Sequence, residues 1–64
     1  MNIGIEGMHS TECVRRVREA LERVAGLRVR EVTLGSAVVD GDAKQQAAAI
    51  DAIERAGFRP HIAA

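Results

Sequence analysis

The sequence predicts an α+β fold in the element order βαββαβ, a four-stranded antiparallel sheet with two helices on one face. Three observations predict it. Ile3 and Ile5 alternate with small or polar neighbours, at the period of a half-buried strand. The period then changes, and Val14, Val17, Leu21 and Val24 fall on one helical stripe. The same change, strand-like to helix-like, occurs again in the second half of the chain.

The first strand ends near Glu6, and Gly7-Met8-His9 breaks its alternation. In the helix that follows, Arg15, Arg16, Arg18, Glu19, Glu22 and Arg23 occupy the polar side. Gly26 stands just past the stripe, where a helix-ending glycine belongs. Leu27 to Leu34 reads as the second strand. Its alternation slips near Arg30-Glu31, which calls either for a bulge there or for Leu27 in the preceding loop. Gly35-Ser36 reads as a two-residue turn into a short third strand, Ala37-Val38-Val39, closed by Asp40-Gly41. Asp42 and Gln45 have the spacing of a capping box for a second helix. Its expected buried stripe is Ala43, Ala47, Ile50 and Ile53, with Gln46 at the border reaching water. Gly57 ends that helix, and Phe58 to Ile62 forms the last strand. Pro60 has no N–H to give a ladder, so this strand is expected at a sheet edge. Ala63 and Ala64 are expected to fray. Residues 1–64 read as a single domain, with no internal boundary or low-complexity segment.

Composition narrows the function. Nine basic and nine acidic side chains cancel, which argues against a dedicated polyanion binder. Phe58 is the only aromatic, so there is no platform for stacking nucleic-acid bases. Cys13 is the only cysteine. It rules out an internal disulfide and points to a reducing compartment, the cytosol. No apolar run is long enough to span a bilayer, and Met1 to Glu6 lacks the features of a signal peptide.

The chemistry concentrates in Gly7-Met8-His9-Ser10-Thr11-Glu12-Cys13, which joins the first strand to the first helix. Backbone amides and a positive helix end point into such a junction. A cysteine in the first turn is therefore favoured as thiolate. Thiolate is the form that binds Cu(I), Hg(II), Cd(II) and Zn(II).

Gly7, Met8, Cys13, Val17, Leu21, Gly26, Leu27, Gly57 and Phe58 form an ordered set at these spacings. By them the whole chain resembles the heavy-metal-associated domain family, whose junction reads Gly-Met-x-Cys-x-x-Cys. The resemblance implies a ferredoxin-like sandwich. It also implies a carrier of a soft metal ion, Cu(I) foremost. The implied partner is a metal-transporting P-type ATPase or a related metal-binding domain. The departure is Ser10, which stands in the place of the family's first cysteine. A hydroxyl is hard and stays protonated at neutral pH, so two-thiolate binding within one molecule is excluded.

Three routes to a metal remain. Cys13 acts with His9 of the same loop, or with His61 if the last strand brings it near, or with Cys13 of a second molecule in a bridged homodimer. Glu12 is a candidate hard ligand for a divalent ion such as Zn(II), together with Cys13 and His9. Its side chain is turned about 100° from that of Cys13 on a helix, which weakens it.

Each residue also has a plain structural reading. Ser10 reads as the N-cap of the first helix, its hydroxyl accepting from the amide of Glu12 or Cys13, with Thr11 competing. Cys13 reads as a small buried residue, and Met8, at its family position, as core packing that braces the loop. His9 reads as an exposed loop residue and His61 as a solvated edge-strand histidine. Arg15 and Arg16 read as the wet side of a helix, with docking to an acidic partner as the functional alternative.

Two other functions compete with the carrier. One is a degenerate domain that binds proteins through the same surfaces without carrying metal. The other is an enzyme, for which no nucleophile–base–orienter set is present. Acylphosphatases share the layout, but Gly7 to Cys13 contains no arginine for a phosphate loop. RNA-recognition domains share it too, but the sheet aromatics they need are missing.

Overall fold

Glycines and changes of apolar period divide the chain into six elements, and the computed structural model describes residues 1–63 of it. β1 spans Asn2–Glu6, α1 Thr11–Glu22, β2 Arg28–Thr33, β3 Ser36–Asp40, α2 Ala43–Arg55 and β4 Arg59–Ala63. The strands lie in the order β2-β3-β1-β4, and each neighbouring pair is antiparallel. This is the expected α+β sandwich with a ferredoxin-like order of elements. Among the described residues no helix is long and apolar enough to cross a membrane.

Register decides which face is packed. Ile3 and Val32 both stand opposite Ala37, and Val29 stands opposite Val39. Ile3, Ile5, Val32, Ala37 and Val39 are buried on that face. They meet Val17 and Leu21 of α1, Ala49 and Ile53 of α2, and Phe58 just before β4. Full burial stabilises each of the larger of these side chains by about 1.5–3 kcal/mol. The opposite face carries Gly4, Ser36 and His61, aligned across three strands. It has no helix over it.

Several expectations hold in detail. A register shift lies between Val29 and Glu31, so the bulge at Arg30 is real. Leu27 lies in the preceding loop as well, so both readings of the slipped alternation apply. The Asp42–Gln45 capping box is closed: Asp42 Oδ1 accepts from Gln45 N at 2.8 Å and Gln45 Oε1 from Asp42 N at 2.9 Å. β4 is an edge strand, and its Pro60 pairs with Ile5.

Four local expectations need correction. The hairpin turn is Leu34-Gly35, one residue earlier than Gly35-Ser36, and Ser36 already pairs with Thr33. Gly35 adopts φ 95°, a conformation that its neighbour Ser36 would adopt only with strain. In α2, Ala43 and Ala47 are exposed while Ala49 is buried beside Ile53. Gln46 is half-buried and its amide donates to the Gly41 carbonyl at 2.9 Å instead of simply reaching water. Ala63 is not frayed but pairs with Asn2 in β4. Ala64 lies outside the described residues.

Candidate metal centre

The chain leaves β1 at Glu6 and reaches the first turn of α1 at Thr11 through four residues. Gly7 passes beside the Phe58 ring, close enough that a Cβ would sit 3.8 Å from it. Met8 turns inward against the core. Its sulfur accepts the Gly35 amide at 3.3 Å, and the Gly35 carbonyl accepts from Ile5 N at 2.9 Å. The loop is therefore tied to the β2–β3 turn. This is the bracing role expected of Met8. His9 is exposed.

Ser10 occupies the N-cap position with extended backbone, φ −155° and ψ 170°, but its side chain makes no capping hydrogen bond. Its carbonyl accepts from Cys13 N at 3.0 Å and Val14 N at 3.3 Å. Its hydroxyl instead donates toward Cys13 Sγ at 3.9 Å. The expectation that this hydroxyl would accept from the amide of Glu12 or Cys13 is thus corrected. The same oxygen cannot turn to the sulfur and to the helix amides at once, and here it turns to the sulfur.

Cys13 is half-buried, one side against the core. It is neither sealed in the interior nor freely projecting. Its thiol is held below the ordinary acidity range, first by the backbone N–H of His9 directed at the sulfur. Partial burial opposes this. The Ser10 hydroxyl and amide and the Arg16 charge add to the lowering. The net effect favours the thiolate, the form that ligates soft cations.

The other candidates are dispersed. Glu12 faces Arg15 at 3.8 Å on the exposed surface. Arg15 and Arg16 are exposed on the first helical turns, and Arg16 lends its field to the sulfur. His61 pairs with Gly4 on the helix-free face. Its ring covers Gly4 so closely that any Cβ there would overlap the imidazole. His61 Nδ1 lies 3.9 Å from Glu6 Oε2. The structure thus seats His61 on the open sheet face and Cys13 at the start of α1. Among the described residues no group of three or more His, Cys, Asp or Glu side chains is positioned to hold an ion.

Two features of the site escaped the sequence reading. The donation from Ser10 to Cys13 had no separate signal, because a serine at this spacing is already explained as a cap. The seat for His61 had one faint signal, a glycine between Ile3 and Ile5 in a strand.

Comparison with known proteins gives a consistent picture. The family model described as "Heavy-metal-associated domain" matches residues 3–59. Copper-transporting ATPase 2 of Rhizobium meliloti (strain 1021) is 43% identical over 65 residues. That match covers 97% of this chain but only 8% of that protein's length. The crystal structure of the CopA C-terminal metal binding domain superposes with a TM-score of 0.76 at 36% identity. It covers 92% of this chain and 81% of that one.

Proposed function

We propose, because this chain belongs to the heavy-metal-associated domain family, that it binds a soft metal ion through the Cys13 thiolate and passes it to a second donor. Cu(I) is the first choice, and Zn(II) or another soft divalent ion the second. The observation that carries the reading is the environment of the sulfur. It is half-exposed at the start of α1, approached by the His9 amide and the Ser10 hydroxyl, and depressed in pKa.

A single thiolate makes an open, exchangeable site. An incoming thiolate adds to the ion while Cys13 still holds it. The bond from Cys13 then breaks, and no electron moves. Within the chain His9 is the nearest source of a second ligand by sequence. His61 would first have to leave its seat over Gly4. The reading is of a carrier and not of an enzyme, working in the cytosol. Its partner is a metal-transporting P-type ATPase or a related metal-binding domain, with Arg15 and Arg16 facing acidic groups on it.

Ser10 in the place of a cysteine favours a second reading, a protein-interaction module that carries no metal. A competition titration of reduced protein against a Cu(I) chelator separates the two. Uptake that disappears in Cys13→Ser supports the carrier. No uptake by the wild type, with partner binding unchanged in Cys13→Ser, supports the module.

A further inference from the structure

We propose that the outer face of α2, with the exposed end of β4 beside it, is a docking surface for a second copy of this chain, which lays its own α2 antiparallel across a twofold axis. The surface lies apart from the Cys13 loop: Ile62 pairs with Ile3 near the start of β1, and the loop leaves from the other end of that strand. The inference is therefore independent of the metal reading. The observation that carries it is an apolar stripe wider than the domain covers. Ala43, Ala47 and Ile50 recur at helical spacing. Yet Ala43 and Ala47 are exposed and Ile50 is only half-buried, while the core takes Ala49 and Ile53. Beside the stripe, Ile62 is 70% exposed, against 60% for Leu34, the other exposed large hydrophobic among the described residues. Met1, Ala43, Gln46, Ala47, Ile50 and Ile62 line one groove of about 220 Å³. Exposed apolar side chains gathered in this way, unlike scattered ones, mark a contact surface.

The charges of α2 select the occupant. Lys44 stands in its first turn and Glu54 in its last. Both are exposed, and neither makes an ion pair among the described residues. The remaining charges of the helix, Asp51 and Arg55, already pair with each other at 2.9 Å. The patch is therefore neutral, with one free charge of each sign at opposite ends. A twofold interface must be self-complementary, each patch satisfying its own image. Where Ala47 meets Ile50 of the copy in an antiparallel pair, Ala43 meets Glu54 of the copy. Lys44 is then within one residue, about 1.5 Å of helical rise, of the level of that carboxylate. Symmetry repeats the pair at the other end, so the two unpaired charges satisfy each other twice. Ala43 and Ala47 are small enough to let the helices approach, and Ile62 gains apolar cover beside them. The contact runs through side chains and asks nothing of the outward main chain of β4.

Sedimentation equilibrium of the full chain, reduced and with a metal chelator present, tests this from about 10 μM to about 1 mM, the range in which weak contacts between copies become populated. The expected result is a reversible monomer–dimer equilibrium that needs no metal. Ile62→Asp should weaken it about tenfold or more, while Leu34→Asp leaves it within about twofold. Lys44→Glu and Glu54→Lys should each weaken it about three- to tenfold, because each sets like charges against one another across the axis. The double variant Lys44→Glu/Glu54→Lys should return to within about twofold of wild type. All four positions are exposed, and circular dichroism of each variant checks that the fold is kept. A wild type that stays monomeric across the range overturns the inference. So does an Ile62→Asp protein that associates like wild type, or a double variant no better than its parents. A dimer that forms only when the chelator is left out is bridged by metal and overturns it as well.

Discussion

The two helices begin alike and finish their first turns differently. Each opens on a polar residue with extended backbone, Ser10 at φ −155° and Asp42 at φ −75°. At α2, Asp42 and Gln45 bond reciprocally and satisfy two backbone donors. Gln45 also packs over Gly26 and Gly41, fixing the two loops at that end. At α1 the side chain at the equivalent position makes no cap, and its hydroxyl turns to sulfur. One helix start is completed from within the chain. The other keeps polar groups directed at a half-exposed thiol. The difference teaches that a capping residue at a helix start does not reveal what its side chain bonds.

Metal binding gives the largest test of this contrast. Cys13→Ser should lower Cu(I) affinity at least a hundredfold in competition titration, whereas Asp42→Ala should leave it unchanged. Comparable losses in the two would erase the distinction between the helix starts.

Stability should show the reverse order. Asp42→Ala removes a cap and is expected to cost about 1–2 kcal/mol in chemical denaturation. Ser10→Ala removes no capping bond and is expected to cost no more than a few tenths of a kcal/mol. A Ser10→Ala loss as large as that of Asp42→Ala would show that Ser10 caps α1 in solution.

The dependence on pH sharpens the account of α1. The folded Cys13 thiol is depressed by the His9 amide and its other neighbours. Its contribution to stability is therefore present above the unfolded thiol pKa and lost as pH falls through the lower folded value. The Tm of wild type relative to Cys13→Ser under reducing conditions should rise with pH across that window. Ser10→Ala should flatten the rise and move the pH profile of thiol alkylation upward. A profile identical to wild type would remove Ser10 from the account.

The smallest effect is expected at His61, whose ring covers Gly4 on the helix-free face. His61→Ala should change Cu(I) affinity less than twofold. A larger loss in the same titration would mean that the last strand reaches the metal after all.

Signals confined to a few neighbouring residues were the most legible in the sequence. The Asp42-to-Gln45 spacing specified a capping box, and it is closed. The slip at Arg30-Glu31 specified a bulge, and the register shifts there. Pro60 specified an edge strand. The rotation of α2 was not legible, because Ala43, Ala47, Ala48, Ala49 and Ala52 are equally small and apolar on every side of the helix. Only membership of the shared core with Val17, Leu21 and Ile53 selects Ala49 over Ala47. At the site, Cys13 and the bracing by Met8 could be anticipated from the motif. The direction of the Ser10 hydroxyl could not, since cap and sulfur compete for the same atom within one turn.

Pro60 has a consequence for how such a domain behaves among many copies of itself. Ile5 gives its amide to the Gly35 carbonyl, on the side of β1 away from β4. Alternation along an antiparallel pair therefore turns the Pro60 and Ile62 main chain toward the solvent margin. Pro60 has no hydrogen to offer there, so Ile62 is left as the one outward donor along Arg59–Ala63. A foreign strand finds too few partners on this flank to zip alongside it. Pairing with a foreign strand is thereby discouraged along β4 and left to β2, the other margin of the sheet.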